Sequence, residues 1–274
     1  MTLQPMPIHV HTFPGETVDS FARRVAAANH TTITDIEAGL RHHGQLTSRA
    51  RSSQQRATLW RQLGDLPECS FSSPSTFHGH PVPARTLCRQ CADGHTVTAR
   101  MPHLGMICLR HGCTQQPPHT PIGHLPAILH AERRFRHLHR TRGLVMDSPA
   151  MNIARDTALL AYDPGRDPGP TTGSPAIMVY RPQVDIASMI TDSKFLETAC
   201  STTTPGLQRR DYIAVRLARA AGAGLLDIGK ALQYMWNIID NLTDYLRATQ
   251  AGERTFTDTA HDLLPYHRGL VGAP

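Results

Sequence analysis

The chain contains almost no lysine, few aromatic residues and no long apolar run. Only Lys194 and Lys230 are lysines among the 28 Lys and Arg residues, and aromatic residues make up 5% of the 274 positions. Since no run of about 18 apolar residues occurs, we expect no membrane-spanning helix. The first 15 residues lack the apolar stretch of a secretory signal, so we expect a bacterial cytoplasmic protein with reduced thiols.

The sequence also lacks the short motifs of the common enzyme classes. It has no phosphate-binding loop of the Walker type, no dinucleotide-binding fingerprint, no His-Glu-x-x-His pair and no Gly-x-Ser-x-Gly elbow. Its carboxylates form no acidic triad suited to metal-assisted phosphoryl chemistry. Six cysteines in a chain this long do not make a disulfide scaffold. We therefore predict no catalytic residues and a protein that is not an enzyme.

The positive charge is concentrated in the first half of the chain. Residues 1–150 carry 16 arginines against 9 acidic residues, a net charge of +7. Residues 151–274 carry 12 basic against 13 acidic residues, a net charge of −1. Arginine-rich composition alone can reflect a GC-rich genome, but this uneven distribution favours contact between the first half and a polyanion.

Two short motifs in the first half carry soft metal ligands. They are Cys88-x2-Cys91 and Cys108-x2-His111, and each can present two ligands from one tight turn. The alternative is four thiol and imidazole side chains scattered through a small core, but the double spacing is hard to meet by chance. We therefore predict one Zn²⁺ bound by these four residues, with no coordination position left open. Such a site stabilises a fold and performs no chemistry.

The spacer between the two motifs is long enough for a hairpin. It contains the turn signal Asp93-Gly94, and residues His95–Met101 alternate in the manner of a short strand. This pattern predicts a small zinc-ribbon-like β element. Cys113, just after the second motif, is either a spare ligand or the remnant of a further one.

Helical periodicity dominates the rest of the first half. The first predicted helix has Val18, Phe21, Ala22 and Val25 on one face and acidic residues in its first turn. The other predicted helices start at the capping box Thr34-x2-Glu37 and span about Ser52–Leu63 and about Ala127–Thr141.

Arginines accumulate on two of these helical regions with few acidic residues near them. Such a cluster is either a solvated basic face or a surface that contacts phosphates. The candidate nucleic-acid-binding residues are Arg41, Arg49, Arg51 and Arg56 in the earlier region, and Arg133, Arg134, Arg136, Arg140 and Arg142 in the later helix.

A proline- and glycine-rich stretch is predicted to divide the chain. Residues 163–176 combine both residue types at a density that blocks helix and sheet, which indicates a linker. We therefore predict an N-terminal helical and zinc-binding domain over residues 1–162 and a C-terminal helical domain over residues 177–274. Directly after the linker, Ile177–Tyr180 has the composition of a short strand.

The C-terminal domain contains a pattern typical of a helix-turn-helix. Ile228 and Leu232 fit the first helix, Ile239 and Leu242 the second, and Gln233 stands in the turn. The second helix exposes carboxylates, which repel phosphates, so a protein-binding surface is favoured over DNA reading. An ordinary three-helix bundle is the alternative. The predicted fold class is mainly α, with a small zinc-ribbon-like β element and a C-terminal helix-turn-helix-like bundle.

The order of these features resembles the TniQ family. The opening segment Phe13-Pro-Gly-Glu-Thr-Val-Asp-Ser-Phe21, followed by Ala22–Asn29, is similar to the family's start. Cys88-Arg-Gln-Cys91 and Cys108-Leu-Arg-His111-Gly112 are similar to its zinc module. The family usually has proline where Arg89 stands, and many members carry a further Cys-x2-Cys pair. The resemblance covers roughly residues 8–115.

The resemblance implies a non-catalytic accessory protein of transposition. Members of the family bind DNA or a DNA-bound guide complex, and they recruit an AAA+ ATPase that leads the transposase to its target site. Some act as dimers, so a homodimer is left open. The alternative is a stand-alone zinc-containing DNA-binding regulator of phage or mobile-element origin, and a further alternative is a module that binds only proteins.

Overall fold

The computed structural model describes residues 3–162, 175–222, 228–252 and 263–266, and within them the chain is mainly helical, as predicted. Its α-helices are α1 Val18–Ala28, α2 Ile33–His42, α3 Gln54–Leu63, α4 Pro126–Arg142, α5 Pro149–Ala161, α6 Pro175–Met178, α7 Tyr180–Ile190, α8 Ser193–Ala199, α9 Gly206–Ala221 and α10 Ile228–Gln250; a 3₁₀ helix spans Leu264–Tyr266. No helix in these ranges is long and apolar enough to cross a membrane.

Short strands form three two-stranded ribbons. β1 pairs with β2, β3 with β4, and β5 with β6. The strands are β1 Thr76–Phe77, β2 His80–Pro81, β3 Arg85–Thr86, β4 Thr98–Ala99, β5 Ile107–Cys108 and β6 Cys113–Thr114. β3–β4 flanks the first Cys/His pair and β5–β6 the second, and the cluster of these residues described below suggests the zinc-ribbon-like element that the sequence predicts.

The chain folds into two compact units. The first comprises Met1–Pro102 with Thr114–His119, and the second comprises His103–Cys113 with Thr120–Pro274. The predicted boundary at residues 163–176 does not coincide with this division. All but the last two residues of that stretch lie outside the described residues, and α6 begins at Pro175, so the linker itself stays a prediction.

The first unit has a core built by α1, α2 and α3. Phe21 and Val25 on α1 and Trp60 on α3 are almost fully buried, and Leu40 of α2 packs with them. The apolar face of α1 is the predicted one. α2, however, starts earlier than predicted, because the Thr32 side chain, not that of Thr34, caps it. Thr32 Oγ1 accepts from the Asp35 N–H at 3.2 Å and donates to the Asp35 carboxylate at 2.7 Å.

The opening segment before α1 lies along the β3–β4 ribbon. The Arg100 N–H donates to the Gly15 carbonyl at 2.8 Å, and the Thr17 N–H donates to the Thr98 carbonyl at 2.9 Å. Gly15 has φ +68°, and a Cβ there would lie 2.6 Å from the Met101 side chain. The segment therefore acts as a third strand beside β4, and only glycine fits where it passes.

The Glu16 carboxylate fixes this arrangement from inside. It is buried, and it accepts from the Phe13 N–H at 3.1 Å and from Ser20 Oγ at 2.8 Å. Arg24 donates to both of its oxygens, at 2.9 and 2.6 Å. Ser20 Oγ in turn accepts from the Thr98 N–H at 3.0 Å. Side chains of the opening segment and α1 thus hold the helix to the ribbon.

The second unit is a helical core around α7. This helix packs against α4, α5 and α9, and α10 packs against α5 and α9. The face of α7 toward the core is apolar, with Val184, Ile186 and Ile190 fully buried. The predicted strand over Ile177–Tyr180 is wrong: Ile177 lies in α6, and Tyr180 begins α7. β-branched residues gave a strand signal there, and burial among helices overrode it.

The predicted helix-turn-helix is also wrong. α10 runs without interruption from Ile228 to Gln250, so Gln233 lies inside a helix and not in a turn. The Gln233 side chain donates to Asn237 Oδ1 at 2.8 Å, one turn further along. Ile239 and Leu242 are fully buried, but they belong to the same helix as Ile228. The periodicity was that of one long amphipathic helix, which has no separate recognition helix.

Candidate metal centre

The two ligand pairs lie on turns closed by the same kind of hydrogen bond. The Ala92 N–H donates to the Cys88 carbonyl at 3.1 Å, and the Gly112 N–H donates to the Cys108 carbonyl at 2.8 Å. Each bond spans the residues between two ligands and holds them in a tight turn. The predicted turn at Asp93-Gly94 follows the first pair, with φ values of +48° and +84°.

The four predicted ligands come together in one cluster. One ligand atom from each of Cys88, Cys91, Cys108 and His111 lies within 4.8 Å of all the others. Cys108 Sγ and His111 Nδ1 are 3.5 Å apart. Zinc–sulfur bonds of about 2.3 Å in a tetrahedron separate the ligand atoms by about 3.8 Å, so the cluster has the dimensions for one ion. The predicted grouping is confirmed, and these residues could hold a metal ion.

The chemistry of the donors fits a soft, tetrahedrally coordinated ion. Three thiols and one imidazole are a common structural set for zinc, and hard ions such as Mg²⁺ prefer oxygen. Cys88 and Cys108 are buried, with 1% and 3% exposure, and Cys91 and His111 are half-buried. Four protein ligands fill a tetrahedron, so the arrangement leaves no position for a substrate or a reactive water.

Neighbouring groups hold the first ligand turn in place. The buried side chain of Gln115 accepts from the Cys88 N–H at 2.8 Å. The Leu87 N–H donates to the Val97 carbonyl at 2.8 Å, which extends the β3–β4 ribbon to the ligand. Cys113 lies on β6 and is not a member of the cluster found among the described residues.

A buried carboxylate that the sequence alone did not reveal supports the second ligand turn. Glu132 on α4 is fully buried, and its oxygens accept from the Gly105 and Ile107 N–H groups, each at 3.3 Å. The Tyr180 hydroxyl donates to it at 2.6 Å and Arg136 Nε at 2.9 Å. Ile107 directly precedes the ligand Cys108, so Glu132 fixes the strand that leads into the metal cluster.

Gly105 is required by this network. A Cβ at residue 105 would lie 2.1 Å from a Glu132 oxygen and 2.4 Å from the Tyr180 hydroxyl. Both atoms belong to fully buried side chains that are hydrogen-bonded to each other. The signal available in the sequence was a lone glutamate among the arginines of α4, next to a glycine-containing loop that could not be paired with it in advance.

Burial raises the pKa of Tyr180 well above the usual value for a tyrosine, and the Glu132 carboxylate adds to this effect through its charge and its hydrogen bond. A raised pKa means that the folded protein keeps the phenol protonated when the unfolded chain, with a tyrosine pKa of about 10, would release the proton. The stabilisation is therefore complete below about pH 10 and declines above it.

We expect the Tyr180→Phe substitution to flatten this alkaline decline. The wild type should lose up to about 1.4 kcal/mol of unfolding free energy per pH unit above about pH 10 through Tyr180 alone. The variant should start about 1–2 kcal/mol lower at about pH 8, because one buried hydrogen bond is lost. Urea unfolding at a series of pH values from about 8 to about 11 measures both effects. Parallel curves for the two proteins would contradict the assignment.

The structure distributes the earlier group of predicted phosphate-binding arginines unevenly. Arg56 is only 3% exposed, and its guanidinium donates to Glu37 at 2.6 Å and pairs with Asp19 at 2.9 Å. Although burial alone would raise the pKa of Glu37, the hydrogen bonds from Arg56 and Trp60, together with the charges of Arg56 and Arg41, outweigh it and lower that pKa. Arg56 therefore serves the core of the first unit and offers no surface to a phosphate.

The other three members of that group reach solvent. Arg41 pairs with Glu37 at 3.1 Å and is 40% exposed. Arg49 and Arg51 are exposed, in the segment between α2 and α3, and their side chains have no partner in the described part of the chain. The predicted basic surface here is thus smaller than the sequence indicates.

The arginines of α4 separate into those with partners inside the described part of the protein and those without. Arg134 donates to Asp185 at 2.8 Å and to Ser188 at 3.0 Å, and Arg142 donates to the Ser188 carbonyl at 2.7 Å, so both tie α4 to α7. Arg136 pairs with Glu132. Arg133 and Arg140 are exposed, and within the described ranges neither has a partner. These two remain available for an external ligand.

Comparison with protein-family models, with curated proteins and with solved structures finds no match to this chain.

Proposed function

We propose that this chain is a non-catalytic, zinc-containing adaptor protein of transposition. In this role it contacts target DNA or a DNA-bound guide complex and recruits an AAA+ ATPase and a transposase, in the bacterial cytoplasm. The zinc ion is bound by Cys88, Cys91, Cys108 and His111 and stabilises the fold.

One observation carries the proposal: the opening segment that resembles the start of TniQ proteins pairs with the ribbon that flanks the first ligand turn. Gly15 and Thr17 of the opening segment pair with residues Thr98 and Arg100, on the ribbon that leads into the first ligand turn. This pairing joins the two regions of the chain that carry the resemblance and supports a shared origin with that family's N-terminal module.

The charge distribution supports DNA contact by α4. Arg133 and Arg140 are about seven residues apart, which is about two helical turns or about 10.5 Å along one face. His137 is exposed between them. Free guanidinium groups in such a row suit the regularly spaced phosphates of a nucleic acid backbone. The uninterrupted α10 weighs against the alternative of a stand-alone regulator, which needs an element that reads base edges.

We expect the double substitution Arg133→Ala and Arg140→Ala to weaken DNA binding. The affinity of the wild type for a random-sequence duplex should fall as the salt concentration rises. Each lost phosphate contact makes the slope of log K against log salt less steep by about 0.9. The slope of the variant should therefore be less steep than that of the wild type by about 1.8. Fluorescence anisotropy at salt concentrations from about 50 to about 300 mM measures this difference.

The matched control is Arg219→Ala with Arg247→Ala, which removes the same charge from exposed positions on α9 and α10. Its slope should equal that of the wild type, and the thermal midpoints of all three proteins should agree closely. A wild type with no salt-dependent affinity would contradict DNA contact. For the adaptor role, genes for an AAA+ ATPase and a transposase should lie beside the gene for this chain.

A further inference from the structure

The first unit contains a cleft that neither the metal cluster nor the arginines of α4 account for. Its volume is about 850 Å³, within the range of ligand-binding pockets. Three segments line it: residues 8–11 of the extended N-terminal segment, the outer face of α1 at Arg23, Arg24, Ala27 and Ala28, and the ribbon residues His95, Thr96 and Thr98. No aspartate or glutamate is among the lining residues.

The polar lining of this cleft consists mainly of hydrogen-bond donors. Arg23 is exposed, and its guanidinium has no partner within the described residues. His95 and Thr96 are also exposed at the rim formed by the ribbon. Asp93 lies 3.6 Å from His11 and is the acidic neighbour of the rim, but it is 70% exposed to water, which screens it.

Arg24 also lines the cleft, and its guanidinium is held rigidly by partners within the first unit. Nε and Nη2 donate to Glu16, and Nη2 also donates to the His11 carbonyl at 2.7 Å. The side chain is only 8% exposed. Its remaining nitrogen, Nη1, is buried and has no acceptor among the described residues. The guanidinium lies over the Phe13 ring, 4.7 Å from its centroid, so Arg24 shapes the wall of the cleft and Arg23 is the arginine exposed to a ligand.

We propose that this cleft binds a phosphate group of a nucleic acid backbone or of a nucleotide. Arg23 supplies the net positive charge, since Glu16 neutralises Arg24. The exposed Thr96 hydroxyl supplies a donor, and Ile8, Val10 and Ala27 supply an apolar wall for the sugar or base. Binding of a nucleic acid backbone in the cleft rests on the proposed DNA contact, whereas binding of a free nucleotide does not.

The experiment uses the full chain and compares Arg23→Ala with Arg23→Lys and Arg219→Ala. Anisotropy titrations with a labelled duplex should show that the slope of log K against log salt is less steep by about 0.9 for Arg23→Ala, since one phosphate contact is lost. Arg23→Lys keeps the charge and should keep the slope. Arg219→Ala removes a charge from an exposed position on α9 and should also leave the slope unchanged.

A second titration, followed by NMR, adds deoxyadenosine monophosphate to the wild type and to Arg23→Ala. Shifts confined to the cleft in the wild type, and clearly weaker binding by the variant, would support the free-nucleotide source. If the wild type binds duplex with a salt slope that Arg23→Ala leaves unchanged, and the mononucleotide causes no shifts, the cleft proposal is overturned while DNA contact through α4 stands. If the wild type binds no duplex but the mononucleotide binds in the cleft, the DNA-contact function fails and the phosphate site stands.

Discussion

The Cys91→Ser variant should purify without its metal ion and with its zinc-ribbon-like element unfolded. Cys91 is the best ligand to replace, because it is half-buried and serine fits its space. Structural zinc contributes about 10–16 kcal/mol of binding free energy in zinc-finger peptides, and folding depends on that contribution. This contribution is as large as the whole free energy of unfolding of a typical domain, about 5–15 kcal/mol. The turns that hold the ligands should therefore not persist without the ion.

Atomic spectroscopy and circular dichroism measure the two parts of this result. The wild type should contain one zinc per chain, and the variant close to none. Cys69→Ser is the matched control, because Cys69 is exposed and lies outside the metal cluster. It should keep the wild-type metal content and thermal midpoint. Full metal content in Cys91→Ser, or a metal-free wild type that is completely folded, would show that the ligand set is wrong.

The second large effect is expected for Glu132→Ala. This change leaves the Tyr180 hydroxyl, two backbone N–H groups and the Arg136 guanidinium without their shared acceptor in a buried site. Removing one partner from a buried ionic network typically costs about 3–5 kcal/mol. Because the lost bonds also hold the strand before Cys108, metal affinity should fall as well, by about 10–100-fold, the range seen when support around metal ligands is removed.

Urea unfolding measures the stability change, and competition with a chromophoric chelator measures the metal affinity. Glu197→Ala is the control, because Glu197 is exposed on α8 and has no partner among the described residues. It should change the free energy of unfolding by less than about 0.5 kcal/mol. A variant with Glu132→Ala that loses stability but binds metal as tightly as the wild type would separate the network from the cluster.

Local chemistry made the metal cluster and several helices predictable from the sequence. The spacing of Cys88-x2-Cys91 and Cys108-x2-His111 is itself the geometry of two ligand turns, so no long-range information was needed to group them. The apolar face of α1, which includes Phe21 and Val25, follows from periodicity alone.

The predictions that were wrong concern features that tertiary contacts determine. Arg49 and Arg56 both lie in a stretch of sequence without acidic residues, but only the folded chain places Arg56 against Glu37 and Asp19. Gln233 carried no turn signal strong enough to break a helix, and α10 continues through it because one long apolar face packs on α5 and α9. The helix-turn-helix pattern predicted a turn at a position where neither glycine nor proline interrupts the helix.

The strand-like pairing of Gly15 and Thr17 with β4 has a consequence beyond holding α1 in place. It covers the free backbone edge of a very short ribbon, and such edges recruit copies of the same chain when they are left open. Weakening this cover, for instance with a bulkier residue at position 15, would therefore promote self-association through β4 as well as loosening a helix. We therefore expect the opening segment to shield the protein against edge-to-edge association as well as to anchor α1.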